Sequence, residues 1–178
     1  MIYNGKFKVT SPFGPRTLNG AADDHRGIDV VGITDKYVCA VVSGRVAAST
    51  IITDKSDRTW EWGNYVRVDG DDGKRYYYCH LSKRLVTVGR RVKAGDYLGI
   101  EGNTGYSFGT HCHFEVRDRA GNSVNPSTFL GIPNAVGTYG EDWRGEVQKK
   151  FGLSEDTMKY LDKYEHAAAL FRKLGRMM

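Results

Sequence analysis

The chain has 178 residues, enough for one globular domain with a core and a small appendage but not for two full domains. Its composition, 40% hydrophobic and 26% charged with 22 glycines, excludes a disordered chain and favours a β-rich fold with many turns. The net charge of +5 suits an anionic partner, but no basic run exceeds two residues, so we predict no nucleic-acid partner.

The first residues, MIYNGKFKVT, carry no secretion signal, and no stretch reaches the roughly 18 apolar residues of a membrane span. If this start is native, we expect synthesis in the cytoplasm without a Sec signal. We also expect no membrane span, so that any action outside the cell needs another route.

Between residues 37 and 117, short runs rich in Val, Tyr and Ile alternate with glycine-containing turns. This pattern predicts a mainly β fold, an antiparallel sheet or barrel-sandwich similar to a duplicated hybrid motif. The stretch VDGDDGKRYYY predicts a hairpin that turns at DDG. Strand alternation further predicts that Tyr78 and His80 share a face. Three cysteines, Cys39, Cys79 and Cys112, lie in apolar runs, and we expect them to be buried without a disulfide framework.

Near residue 138 the pattern becomes helical, which predicts a domain over 1–137 and a helical hairpin over 138–178. Trp143, Val147 and Phe151 are spaced for one helix face, and Ser154 is suited to cap a second helix. The apolar positions of that second helix are Met158, Leu161, Tyr164, Ala168, Phe171 and Leu174, with Gly175 as its stop. The hairpin could pack on the core, mediate oligomerisation or target the cell wall, and the oligomeric state stays open.

The stretch GTHCHFEV places two of the five histidines, His111 and His113, on one face of a strand. Cys112 then points into the core. Two imidazoles at this spacing can serve one small site, and neutral imidazole is a good zinc ligand. Glu115 lies in no helical HExxH motif, so we expect it to be a structural or surface carboxylate beside Arg117.

A catalytic zinc typically has three protein ligands and one open position, and HRGID supplies further candidates in His25 and Asp29. The residues around them indicate a loop that enters a strand rather than a helix. His80 follows a predicted strand in RYYYCHLSK, whereas His166 lies on the helical tail, where we expect no site role.

These motifs, with SPFGPR, WGNYVRVDG, VKAGDYLGIEGNTGYSFGT and VNPSTFL, resemble the lysostaphin/LytM-type zinc metalloendopeptidases over about two-thirds of the chain. The resemblance implies one zinc ion held by His25, Asp29 and His113. It also implies His111 as general base and His80 as the second catalytic histidine, hydrogen-bonded to the attacking water or the developing oxyanion. Cys112 stands where the family more often has leucine, and Arg16 and Asn64 match recurrent positions that turn formation or strand pairing also explains.

The function implied is zinc-dependent hydrolysis of peptide bonds in the cross-links or stems of bacterial peptidoglycan, with the loop GNTGYSFGT at the rim of the groove. The missing signal favours a bacteriophage lysin, released or carried in the virion, or a domain cut from a longer exported protein. The alternatives are a catalytically silent wall-binding or activator module of the same fold and a sugar-transport phosphocarrier. A phosphocarrier would not need His25 and Asp29.

Overall fold

A computed structural model describes residues 1–141, 143–163, 170 and 174. Its strands are β1 (Phe7–Ser11), β2 (Gly14–Leu18), β3 (Ala21–His25), β4 (Ile28–Gly32), β5 (Tyr37–Cys39), β6 (Gly44–Ile51), β7 (Asn64–Gly70), β8 (Arg75–Cys79), β9 (Lys83–Arg84), β10 (Arg91–Val92), β11 (Tyr97–Ile100), β12 (Cys112–Arg117), β13 (Ser123–Val124) and β14 (Gly137–Tyr139). Its helices are α1 (Ser127–Leu130), α2 (Trp143–Phe151) and α3 (Glu155–Asp162), and a 3-10 turn covers Arg58–Trp62.

One large sheet organises the molecule, with strand order β10-β6-β7-β8-β12-β4-β1-β14 and β13 beside β12. Two smaller sheets, β5-β11-β9 and β2-β3, complete the β structure that is described. All pairings are antiparallel, including the predicted hairpin of β7 and β8 that turns at residues 71–74. The mainly β, antiparallel fold predicted from the sequence is therefore confirmed.

The main core lies on one face of the large sheet, where apolar side chains recur at every second residue. Cys112 and Phe114 of β12 belong to this core. Cys39, Cys79 and Cys112 are all buried, as predicted, and none of them forms a disulfide with another described residue. The prediction that Tyr78 shares a face with His80 is wrong. Tyr78 packs on Phe114 in the core, whereas β8 ends at Cys79 and His80 has a φ of 62°, which breaks the alternation.

α2 ends at Phe151, just before the predicted break at Gly152, and α3 begins directly after the predicted cap Ser154 and is described as far as Asp162. The Ser154 hydroxyl accepts a hydrogen bond from the Thr157 backbone N–H at 3.1 Å and caps α3. Val147 and Met158 are buried against each other and contact Tyr97 of β11. Phe151 of α2 is 52% exposed and lies outside the cluster that Val147 and Met158 form.

Several expectations for the tail lie outside the described residues, namely those for Tyr164, His166, Ala168, Phe171 and Gly175. The predicted boundary between 137 and 138 stays a prediction, and β14, which includes both residues, pairs with β1 of the large sheet. Among the helices that the structure describes, none is long and apolar enough to cross a membrane.

Candidate metal centre

Three adjacent strands bring the predicted metal ligands to one place. β3 ends at His25, the chain turns at residues 26–27, and β4 then carries Asp29. β12 pairs with β4 so that His113 lies directly opposite Asp29, which puts both side chains on the same face of the sheet. Two strands and one turn, rather than a helix, therefore generate the HxxxD spacing.

The donor atoms of these residues converge. The Asp29 Oδ1 atom lies 3.2 Å from His25 Nε2 and 3.0 Å from His113 Nδ1, and these two nitrogens lie 3.0 Å apart. Ligands at about 2.0–2.2 Å from a tetrahedral zinc ion lie roughly 3.3–3.6 Å from one another. Two imidazoles and one carboxylate are also a donor set that zinc accepts. The residues present therefore fit a zinc ion with one coordination position left open.

Outer contacts fix two of these ligands. The His25 Nδ1 atom lies 2.8 Å from the Pro12 carbonyl oxygen, to which it donates when Nε2 is the bare nitrogen that a metal needs. The Arg16 guanidinium donates from Nη1 to Asp29 Oδ2 at 3.3 Å and from Nε to Asp23 at 2.6 Å. Arg16 therefore holds the carboxylate oxygen that faces away from the cluster, which is a reason for its place in SPFGPR beyond turn formation.

The neighbours of Asp29 and His113 set the pKa of each side chain. Burial alone would raise the pKa of Asp29, but the close imidazoles of His111, His113 and His25 hold that pKa far below its usual range, so Asp29 is ionised. Burial alone would lower the pKa of His113, but hydrogen bonds to Asp29 and Glu115 raise it to about 9. A metal ion must therefore displace a proton to bind His113 at neutral pH.

The other two predicted site residues flank the cluster. His111 Nε2 lies 3.5 Å from Asp29 Oδ1, and His111 Nδ1 lies 2.7 Å from the Gly109 carbonyl oxygen. The His80 ring lies 4.7 Å from the His111 ring, and His80 Nδ1 lies 2.8 Å from the Thr104 carbonyl oxygen. Burial and the nearby His113 and His111 lower the pKa of His80 to about 3, so His80 is neutral.

Glu115, expected to be a structural or surface carboxylate beside Arg117, is a structural one. It is 1% exposed, accepts a hydrogen bond from Arg117 Nε at 2.6 Å and lies 3.8 Å from His113 Nε2. Gly27 is a feature of the site that was not assigned from the sequence, because a Cβ atom there would lie 2.5 Å from the Phe114 carbonyl oxygen and 2.7 Å from the His113 ring. Glycine in HRGID therefore makes room for a ligand from another strand.

Comparisons with known proteins place this geometry in a family. The model of Peptidase family M23 matches residues 23–126, a segment that contains all five site residues. Peptidoglycan DD-endopeptidase ShyC of Vibrio cholerae is 35% identical over 161 residues, which are 88% of this chain and 34% of that protein. Murein hydrolase activator NlpD of Escherichia coli is 31% identical over 114 residues, which are 64% of this chain and 28% of that protein.

The fold agrees with these matches. The solved catalytic domain of lysostaphin from Staphylococcus simulans superposes with a TM-score of 0.59 and 32% identity, covering 70% of this chain and 92% of that domain. The chain spans between 25% and 34% of the length of the first curated relatives it matches. The family match covers more than half of the chain, so the chain belongs to Peptidase family M23, as its resemblance to lysostaphin/LytM-type enzymes implied.

Proposed function

We propose that this chain is a zinc-dependent endopeptidase that hydrolyses peptide bonds in the cross-links or stem peptides of bacterial peptidoglycan. The observation that carries the proposal is the convergence of His25, Asp29 and His113 within 3.2 Å of one another beside two further imidazoles. Family membership and peptidoglycan-acting relatives such as the DD-endopeptidase ShyC support the substrate. When bound, zinc supplies Lewis acidity that polarises the scissile carbonyl and makes water easier to deprotonate.

His111 is suited to be the general base. Because its Nδ1 atom donates to the Gly109 carbonyl oxygen at 2.7 Å, its Nε2 atom is the bare nitrogen that faces Asp29. That nitrogen takes a proton from the water that attacks the carbonyl carbon and returns it to the amine as the C–N bond breaks. The ionised Asp29 then stabilises the imidazolium that forms.

His80 has a more restricted role than the resemblance alone suggests. With Nδ1 donating to the Thr104 carbonyl oxygen at 2.8 Å and the ring neutral, His80 Nε2 is an acceptor. It can orient the attacking water by accepting a hydrogen bond, and it can donate to the oxyanion only after gaining a proton. A positive φ of 62° at this residue is the backbone conformation that turns its ring toward the site.

The test is mass spectrometry of purified peptidoglycan from several wall types after incubation with the zinc-loaded chain. New peptide termini that depend on His111 would establish the activity and identify the bond. Intact walls in the presence of stoichiometric bound zinc would contradict the proposal.

The second candidate is a silent activator, which the similarity to the murein hydrolase activator NlpD favours. The presence of all five site residues argues against it, because an activator does not need them. Stimulation of a separate wall hydrolase by a His111→Ala variant, as strong as by the unmodified chain, would support the activator. The phage-lysin setting stays a prediction.

A further inference from the structure

One face of β12 continues as a row of polar side chains beyond the proposed ligand His113. His113, Glu115 and Arg117 alternate with core residues along this strand, so their side chains lie on the same face of the large sheet. The other two proposed ligands, His25 and Asp29, each have an outer contact that orients them. The orientation of His113 depends instead on its neighbours along β12.

The two ring nitrogens of His113 face different carboxylates. Nδ1 lies 3.0 Å from Asp29 Oδ1 and belongs to the converging metal donors. Nε2 lies 3.8 Å from Glu115 Oε2, which is within ion-pair distance but longer than a direct hydrogen bond. A neutral imidazole that binds a metal through Nδ1 carries its proton on Nε2. Glu115 therefore lies on the side of the ring where that proton must be.

The two carboxylate oxygens of Glu115 have different partners. Oε1 accepts a hydrogen bond from Arg117 Nε at 2.6 Å and another from the Ser123 hydroxyl at 3.1 Å. Oε2 faces His113. Because only 2% of the Glu115 side chain is exposed, these protein groups rather than bulk water surround the carboxylate. The carboxylate is therefore held in one orientation, with one oxygen directed at His113 Nε2.

Two aromatic rings hold Arg117 in turn. Its guanidinium carbon lies 5.3 Å from the ring centroid of Trp62 and 5.1 Å from that of Tyr77, distances at which a cation is attracted to an aromatic face. The Trp62 carbonyl oxygen also accepts a hydrogen bond from the His80 backbone N–H at 2.8 Å, which joins this support to the turn of His80. A planar guanidinium can stack on rings and donate to a carboxylate from a fixed direction, whereas a lysine ammonium cannot do both. Arg117 is therefore suited to orient Glu115.

We infer that Glu115 is a positioning residue for the metal centre. Held by Arg117, it keeps the proton of His113 on Nε2 and leaves Nδ1 bare for the zinc ion. A carboxylate behind an imidazole ligand also raises the basicity of the nitrogen that binds the metal. Glu115 acts through His113 and stays outside the ligand set, because its carboxylate lies on the Nε2 side of the ring. The inference rests on the proposed zinc-dependent function and deepens it.

The test is the zinc affinity of the folded full chain, measured by competition with a chelator of known affinity. Glu115→Ala should weaken zinc binding by up to about 100-fold, and Glu115→Gln by about 10-fold, since an amide oxygen still accepts from Nε2–H but carries no charge. Glu115→Gln keeps the side-chain volume, so it decides the test if the alanine variant does not fold.

Glu101→Gln is the matched control, because Glu101 is also a buried carboxylate, at 3% exposure. Its neighbours are the Tyr3 hydroxyl, the Gly32 backbone N–H and the Lys36 ammonium rather than a proposed ligand. This variant should lower the free energy of unfolding and leave the zinc affinity unchanged.

Two further measurements separate positioning from a merely structural role. Arg117→Lys should also weaken zinc binding, but in a double variant with Glu115→Ala it should have little further effect, because Arg117 acts on the metal only through Glu115. In nitrogen-15 NMR spectra of the zinc-loaded chain, the His113 proton should lie on Nε2. Glu115→Ala should speed the exchange of that proton with water.

The outcomes separate this inference from the proposed function. Peptidoglycan cleavage by the unmodified chain, with equal zinc affinity in the folded Glu115 variants, would overturn the inference alone. A His113 proton found on Nδ1, or a loss of zinc affinity in Glu101→Gln as large as in Glu115→Gln, would do the same. Weakened zinc binding in the Glu115 variants of a chain that cleaves no peptidoglycan would support the inference and contradict the proposed function.

Discussion

The two faces of β12 show how one strand serves both stability and chemistry. On one face Cys112, Phe114 and Val116 are fully buried in the main core. On the other face His113 is partly buried and Glu115 is buried, and each has a defined partner, Asp29 for His113 and Arg117 for Glu115. Alternate residues of this strand can therefore be changed with separate consequences, one set for stability and the other for metal binding.

The largest expected effect is that of removing a ligand. His113→Ala should abolish stoichiometric zinc binding and reduce peptidoglycan cleavage to background, because two donors remain and the charge of Asp29 loses its closest partner. The paired core variant, Phe114→Ala, should lower the free energy of unfolding by about 3–5 kcal/mol. Its folded fraction should still bind one zinc. Calorimetric metal titration and chemical denaturation of both variants check this contrast.

A result in which Phe114→Ala loses zinc while still folded would show that the two faces are not separable. A His113→Ala variant that keeps one tightly bound zinc would remove His113 from the ligand set.

The next effect is on turnover without metal loss. His111→Ala should keep one zinc per chain and lose about 10²- to 10⁴-fold in kcat, the usual contribution of a general base. The reason is that His111 Nε2 lies 3.5 Å from the ligand Asp29 but outside the three converging donors. Initial rates on a peptidoglycan-derived peptide, with metal content measured on the same sample, give the comparison. Turnover near that of the unmodified chain would exclude His111 as the base.

Much of this site could be predicted from the sequence because its signals are local. The alternation in GTHCHFEV separates His113 from Cys112, and HRGID places His25 and Asp29 at the entry to a strand. The remainder depends on contacts between distant segments. The need for glycine at position 27 arises from the His113 ring of another strand, and the burial of Glu115 follows from its pairing with Arg117 against His113.

The fold, too, could be predicted where local sequence patterns decide it, but not everywhere. Glycine-separated β runs were enough to predict an antiparallel, mainly β chain and its hairpin at residues 71–74. The prediction from strand alternation that His80 shares a face with Tyr78 was wrong. The backbone of His80 enters the left-handed region, so the His80 side chain points away from the face of Tyr78. The helix α1 and the edge strand β14 lie in NPSTFLGIPNAVGTYG, residues 125–140, whose prolines and glycines indicate only turns.

A smaller effect is the pH dependence of zinc binding on the face of β12 that carries His113 and Glu115. Because Asp29 and Glu115 raise the pKa of His113 to about 9, zinc binding should release a proton and its apparent affinity should rise about tenfold per pH unit up to about pH 9. The stability of the metal-free protein should fall as the pH rises. The stabilisation that comes from the raised pKa of His113 is fully present below the ordinary histidine pKa and is lost as the pH rises through about 9. Zinc titrations in buffers of different ionisation enthalpy count the protons, and an affinity independent of pH between 6.5 and 8.5 would contradict the assignment.

Gly27 tests the contact between the turn and β12. Gly27→Ala should introduce strain of about 1–3 kcal/mol, because its Cβ atom would lie 2.5 Å from the Phe114 carbonyl oxygen and 2.7 Å from the His113 ring. The contact with the Phe114 backbone should lower the free energy of unfolding, whereas displacement of the His113 imidazole should weaken zinc affinity. Gly121→Ala is the control, because a Cβ atom at that positive-φ turn meets nothing within 4 Å. Equal zinc affinity in both variants would show that the His113 ring has room to shift.

The smallest expected effects come from two buried cysteines that lie on opposite faces of the sheet. Cys112→Ala and Cys79→Ala each remove one sulfur atom from a fully buried position and should cost about 1 kcal/mol of unfolding free energy. Cys112 packs in the main core, whereas Cys79 lies directly opposite His113 on the face that binds metal. Only Cys79→Ala should therefore weaken zinc affinity, because the cavity it leaves lets the neighbouring imidazole move. If Cys112→Ala weakens zinc binding as much, the core face also positions the ligands, and the separation of stability from chemistry along β12 fails.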